Sequence, residues 1–151
     1  MTYDEAGDAL NALFFPTFKP FATTVLGYMP TIYWPFQTEP TSAPIDKAWL
    51  RVSRRSLPKQ LDGFGEGNAN KAARYSTIGL MYIQLFYPQS DKNAAKNLPK
   101  LAEFLQACFI GKHDPTNLLW CRDVTIKELD SEKTWFRVNV VVEFIYQDIS
   151  E

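Results

Sequence analysis

The opening of the chain has the spacing of a helix. Thr2 and Glu5 form the Thr-x-x-Glu pattern of a capping box, and Ala6, Ala9, Leu10, Leu13 and Phe14 recur every three or four residues. Pro16 lacks the amide hydrogen a helix needs and its ring clashes with the preceding turn, so a first helix is expected from Tyr3 to about Phe14. From Phe15 to Pro44 the chain reads FPTFKPFATTVLGYMPTIYWPFQTEPTSAP, with too many prolines for a long helix. An arm packed by its aromatic side chains is expected there, with TIYW as one short edge strand.

KAWLRVSRRS then takes up a period of two. Ala48, Leu50 and Val52 face one way and Trp49, Arg51, Ser53 and Arg55 the other, which predicts a half-buried strand. From Leu57 to about Ala73 neither period holds, and a flexible loop is expected, longer than the about 12–15 residues usual inside a compact domain. RYSTIGLMYIQLFYP alternates again, but with apolar residues on both faces: Ile78, Leu80, Tyr82 and Phe86 against Met81, Ile83, Leu85 and Tyr87. That predicts a central strand covered on both sides.

After Pro88, QSDKN offers capping side chains, and Ala94, Leu98, Leu101, Leu105 and Cys108 make one helical stripe that Gly111 closes. Pro99 inside that stripe leaves two readings open, a kinked helix or one whose regular part begins near Leu98. LLWCRDVTIKEL, the connection DSEK and TWFRVNVVVEFIYQ predict a final pair of strands. In the last, Phe136, Val138, Val140, Val142, Phe144 and Tyr146 are uniformly apolar. The alternate positions Trp135, Arg137, Asn139, Val141, Glu143 and Ile145 are mixed, a second face that needs partial cover. The sum is a single α+β domain: an antiparallel or mixed sheet, two helices packed on one face, and a long flexible loop between two strands.

Charge changes this picture little. With 16 basic and 17 acidic residues in a chain of 151, the formal net charge is -1, and neither a polyanion nor an anionic membrane is the default partner. A local basic footprint exists: Arg54, Arg55, Lys59, Lys71 and Arg74, with Phe64 and Tyr75 among them. It reads first as solvated surface, next as a protein contact, and last as a site for a nucleic-acid backbone. The acidic opening MTYDEAGDAL lacks the basic start of an export signal, and no apolar run approaches the roughly 18 residues of a membrane span, so folding in the cytoplasm is expected.

Catalytic chemistry finds little support. Cys108 and Cys121 have no CxxC spacing and read as buried, reduced thiols. His113 and Asp114 precede Pro115 in a turn, away from any nucleophile elbow, and one histidine with two separated cysteines makes no zinc site. GFGEG lacks the Lys-Ser/Thr of a phosphate loop and leads into a strand rather than a helix. No catalytic, metal or cofactor-binding residue is expected, and no enzymatic activity.

The order and spacing of these elements resemble the tail terminator, or tail completion, proteins of long non-contractile-tailed bacteriophages. The resemblance runs through the N-terminal amphipathic helix, MPTIYWPFQ, the strand WLRVS, the glycine-containing loop, RYSTIGLMYIQLFYP, the helix AAKNLPKLAEFLQACFIG, and the closing strands. It implies a virion protein without enzymatic activity, assembled in the host cytoplasm and placed at the head-proximal end of the tail. Such a protein forms a homo-hexameric ring that caps the tail tube, stops its polymerisation and presents a surface for head attachment. The implied partners are further copies of itself, the major tail tube protein and a head-completion or neck protein, with no membrane and no specific nucleic acid. Another head–tail connector protein, or a small nucleic-acid-binding module, is the alternative. The interface candidates come from this chain's own residues: Trp49, Arg51 and Arg55 on their strand's outward face, and Trp135 and Arg137 on the last strand. Arg54, Lys59, Phe64, Lys71 and Arg74 join them in and around the loop from Leu61 to Arg74, expected to gain order on assembly. Cover for the two-sided sheet comes either from a neighbouring subunit in a closed ring or from the arm between Phe15 and Pro44.

Overall fold

The computed structural model describes residues 1–37, 46–64, 73–132 and 134–150. Its first helix, α1 (Tyr3–Leu26), opens with the capping box: Glu5 N–H donates to Thr2 Oγ1 at 3.2 Å and Thr2 N–H to Glu5 Oε2 at 2.9 Å. It does not stop at Phe14. The helix runs 24 residues, through Pro16 and Pro20, and ends at Gly27, whose φ of 82° is a left-handed cap. Packing explains the difference. Leu10, Phe14, Phe18 and Ala22 are buried at four-residue spacing, while both prolines lie on the exposed face. A proline in a helix costs about 3 kcal/mol, and burying one phenylalanine contributes roughly 1.5–3 kcal/mol. The second half of α1 buries Phe18 and stacks Phe21 on Phe104 with ring centroids 4.0 Å apart. Residues 15–26 of the expected aromatic arm are therefore helix. Its remainder contains β1 (Thr31–Tyr33), the expected edge strand, and residues 38–45 lie outside the described part.

The described strands form a six-stranded sheet in the order β1-β2-β4-β6-β5, with β3 paired beside β2 on β4. Here β2 is Trp49–Ser56, β3 Gln60–Phe64, β4 Ala73–Pro88, β5 Leu119–Glu132 and β6 Trp135–Ser150. The sheet is mixed because β1 runs parallel to β2, while every other pairing is antiparallel. β3 corrects the expectation of a loop from Leu57 to Ala73. β2 reaches along β4 only to Gly79, and β3 continues the same line by pairing Gln60 with Ser76 and Phe64 with Ala73. Pro58 and a register shift between Leu61 and Gly63 hide the period of two, so the strand is invisible to pattern reading. The rest of the expected loop, residues 65–72, lies outside the described part.

The second helix, α2 (Ala94–Phe109), begins before Pro99 and continues through it, with the proline again on the exposed side. Gly111, at φ 67°, follows its end as expected. Both helices bury their stripes in one core with Leu50, Val52, Met81, Ile83, Leu85, Val140, Val142 and Phe144. Phe14, between Phe18 and Phe109, is a centre of that core. All these sheet residues point to one face, as the alternation of β2, β4 and β6 requires, which leaves the other face without a helix among the described residues.

Candidate assembly surface

The helix-free face can be read row by row from the strand register. At one end Trp49 of β2 stands beside Phe86 of β4, their rings stacked at 3.9 Å, and Trp135 meets Trp49 edge-on at 6.1 Å. Tyr33 of β1 closes this small second core. Trp49 and Trp135, expected as outward contacts, are thus 7% and 8% exposed, because neighbouring strands carry aromatic partners at the same level. In the subunit they pack on each other and on Phe86 instead of standing outward. The next row is polar. Arg51 donates through Nε to Gln84 Oε1 at 3.0 Å and lies over the Phe86 ring, and Asn139 stands across β4 from them.

Beyond that row the face turns apolar. Tyr82 pairs with Val141, Leu80 with Glu143 and Ile78 with Ile145, and Trp120 of β5 pairs with Ile145. Ile78, Leu80, Tyr82, Val141 and Ile145 are half-buried, and Trp120 is 45% exposed. Arg55 is exposed opposite Leu80, while Glu143, with Arg122 at 3.8 Å, stands between Val141 and Ile145 on β6. Charge therefore lies both beside the apolar strip and within it, and the unbroken apolar run is that of Ile78, Leu80 and Tyr82 on β4. The sequence expected β4 to be covered on both sides. Of the expected arm, Thr31 and Tyr33 of β1 lie on this face, at its far end, and α1 packs on the opposite side.

The basic footprint is divided by the fold. Arg54 belongs to the helix-covered face: its guanidinium lies 4.2 Å from the Tyr3 ring, donates to Tyr3 O, and rests against Gly7. Lys59 pairs with Asp148, which holds that carboxyl below the usual carboxylate range. Arg74 is exposed at the start of β4, Arg137 donates from Nε to Asp130 O at 3.0 Å, and Phe64 ends β3. Lys71 lies outside the described residues. The structure therefore brings Trp49, Arg51, Arg55, Trp135 and Arg137 to one face, and does not bring Arg54 to it.

The remaining reactive side chains serve local structure. Asp114 is buried, and accepts hydrogen bonds from the amides of Leu118 and Leu119, both at 3.0 Å, and from the amide and hydroxyl of Thr116. Burial alone would raise its pKa, but these donors together outweigh burial and lower it. His113 packs on Trp120 with ring centroids 4.4 Å apart. Burial pushes the Cys121 thiol up to about 12 and also raises Cys108, so neither is an activated thiolate. Among the described residues no cluster of three or more His, Cys, Asp or Glu could hold a metal ion. No described helix is long and apolar enough to cross a membrane.

No family model matches the chain, and no curated protein does. Among solved structures 15 chains match. One, known by a serial designation alone, aligns over 100% of this chain and 99% of its own with a TM-score of 0.62 at 14% identity. Likeness at that identity shows the fold, an open α+β arrangement, and carries no statement about activity.

Proposed function

We propose that the chain is a structural assembly subunit that buries its helix-free sheet face against other protein, in the role of a phage tail terminator. The observation that carries this reading is the strip formed by Ile78, Leu80, Tyr82, Val141, Ile145 and Trp120. These are large apolar side chains on adjacent strands, left half-covered by the described part of the chain. A contiguous apolar area rimmed by charge is the usual mark of a protein interface. Support for the tail role specifically comes from the resemblance in element order. The nucleic-acid alternative is weakened because Arg54 and Lys59 are engaged within the fold.

In this role the subunit forms a closed hexameric ring, presents one side to the end of the tail tube and the other to the neck. Light scattering on the purified protein, alone and with tail tubes, tests the reading. A ring, or a ring formed on the tube end that halts its growth, is expected. A protein that stays monomeric and never caps tubes overturns it.

A further inference from the structure

One aromatic side chain is held outward at a conformational cost. Trp34-Pro35-Phe36-Gln37 makes a tight turn just after β1, with Gln37 N–H donating to Trp34 O at 3.1 Å. Proline in the second position and a positive φ in the third follow the type II pattern, where glycine normally fills the third position. Here that position is Phe36, with φ 67° and 93% of its surface exposed. A bulky residue in the left-handed region is an outlier, and at 93% exposure its ring has no packing against the described residues to offset the strain.

At the opposite edge of the sheet lies a groove of matching character. It has a volume of about 550 Å³ and runs between the first half of α2 and the ends of β5 and β6. Leu98, Ala102, Ile126, Leu129 and Phe136 line it, with Glu103, Glu128 and Arg137 beside them. Phe136, 38% exposed, is the one apolar even position of β6 from Phe136 to Tyr146 that the core does not bury. The hollow flanking Phe36 is lined by Arg51 and Arg54. An exposed ring bordered by two arginines thus stands at the β1 edge, and an apolar groove bordered by two glutamates and one arginine at the β5 edge.

We infer that Phe36 of one copy plugs the α2/β5–β6 groove of the next copy. The contact is heterologous, since it joins two different patches on opposite edges, and repeated contacts of that kind generate a closed ring when the rotation closes. Arg51 and Arg54, each hydrogen-bonded to a neutral group of its own copy, keep their positive charge beside Phe36, and Glu103 and Glu128 outnumber Arg137 at the groove, so the two patches are opposite in sign. The inference rests on the assembly reading above and adds its subunit-to-subunit contact.

Phe36→Gly is the discriminating variant, because glycine suits the left-handed turn and the exposed ring packs on none of the described residues. Sedimentation velocity over a concentration series should show the variant needing at least tenfold more protein to associate, while it melts no lower than the wild type. In a second arm, a Gln37→Cys chain, which keeps Phe36, is mixed under mild oxidation with a chain carrying Ala95→Cys, Ala95 being part of the groove lining. A covalent dimer is expected from the mixture and not from either chain alone. Unchanged association of Phe36→Gly, or no cross-link in the mixture, overturns the contact while leaving the assembly reading in place. A wild-type chain that never self-associates overturns both. Association that depends on Phe36 but yields no ring and no tube capping supports the contact and removes the tail terminator role.

Discussion

Gly79 is where the register of the central strands can be tested. It is buried on the helix-covered face of β4 and pairs with Phe144 of β6, a side chain with no exposed surface. A Cβ added at Gly79 would lie 2.4 Å from Cζ and 2.9 Å from Cε2 of the Phe144 ring. Carbon atoms pack at about 3.5–4.0 Å, so the ring would have to retreat by roughly 1 Å into a close-packed core. Gly79 has no positive φ to forbid a side chain, and relief of glycine's conformational entropy alone would favour alanine by about 0.4–1 kcal/mol. Overpacking of this kind costs about 1–3 kcal/mol, so Gly79→Ala is expected to destabilise by roughly 1–2 kcal/mol net. At about 2–4 °C per kcal/mol for a domain of this size, Tm falls by several degrees. Urea titrations of Gly79→Ala, Phe144→Leu and the double variant measure the coupling. Gly79→Ala should cost less in the Phe144→Leu background, with a coupling on the order of 1 kcal/mol. A stabilising Gly79→Ala in the wild type, or strictly additive effects, would refute the argument. The same pairing holds Ile78, Leu80 and Tyr82 on the opposite face, because a slip by one residue would exchange the two faces.

Other consequences are open to direct measurement. Pro20→Ala restores an amide donor on the exposed side of α1, and should stabilise by about 1–3 kcal/mol, read as a rise in Tm. Gly7→Ala, ordinarily a gain of about 1 kcal/mol in a helix, places its Cβ 2.6 Å from the Arg54 guanidinium. Thermal melts should show little or no gain in the wild type and a gain in an Arg54→Ala background. Asp114→Ala strands the amides of Leu118 and Leu119, and should cost about 2–4 kcal/mol in chemical denaturation. Asp114 and Asp148 both have folded pKa values below the ordinary one. Their stabilisation is complete above the unfolded value of about 3.9 and is lost as pH falls through the folded values. Tm should therefore hold from neutral pH down to about 4 and drop below it, less steeply in Asp114→Ala.

Alternation along β2, β4 and β6 made the sheet and its core face legible, because those strands keep their period over long runs. Capping chemistry located the start of α1 in the same direct way. Its end was not legible: a proline is a local signal, and the burial of Phe18 and Ala22 that overrides it depends on α2, distant in the chain. β3 was hidden by a bulge, and its partner is set by where β2 ends. At the candidate site, Trp49 was placed on the outward face of its strand and Trp135 on the last strand, but that the two meet depends on a register that no single strand encodes. Trp120 and Phe36 were missed. The first looked like one more strand residue, and the signal of the second is Trp-Pro-Phe-Gln, a turn with phenylalanine where glycine belongs.

Side-chain oxidation by hydroxyl radicals, compared between free subunit and assembled ring, tests the central claim most directly. Tyr82 and Trp120 report on the helix-free face, and Leu57, 53% exposed near β3, serves as a reference outside the apolar strip. Burial of that face on assembly should lower oxidation of Tyr82 and Trp120 severalfold relative to Leu57. Equal oxidation of both aromatics in the free and assembled states would contradict the account.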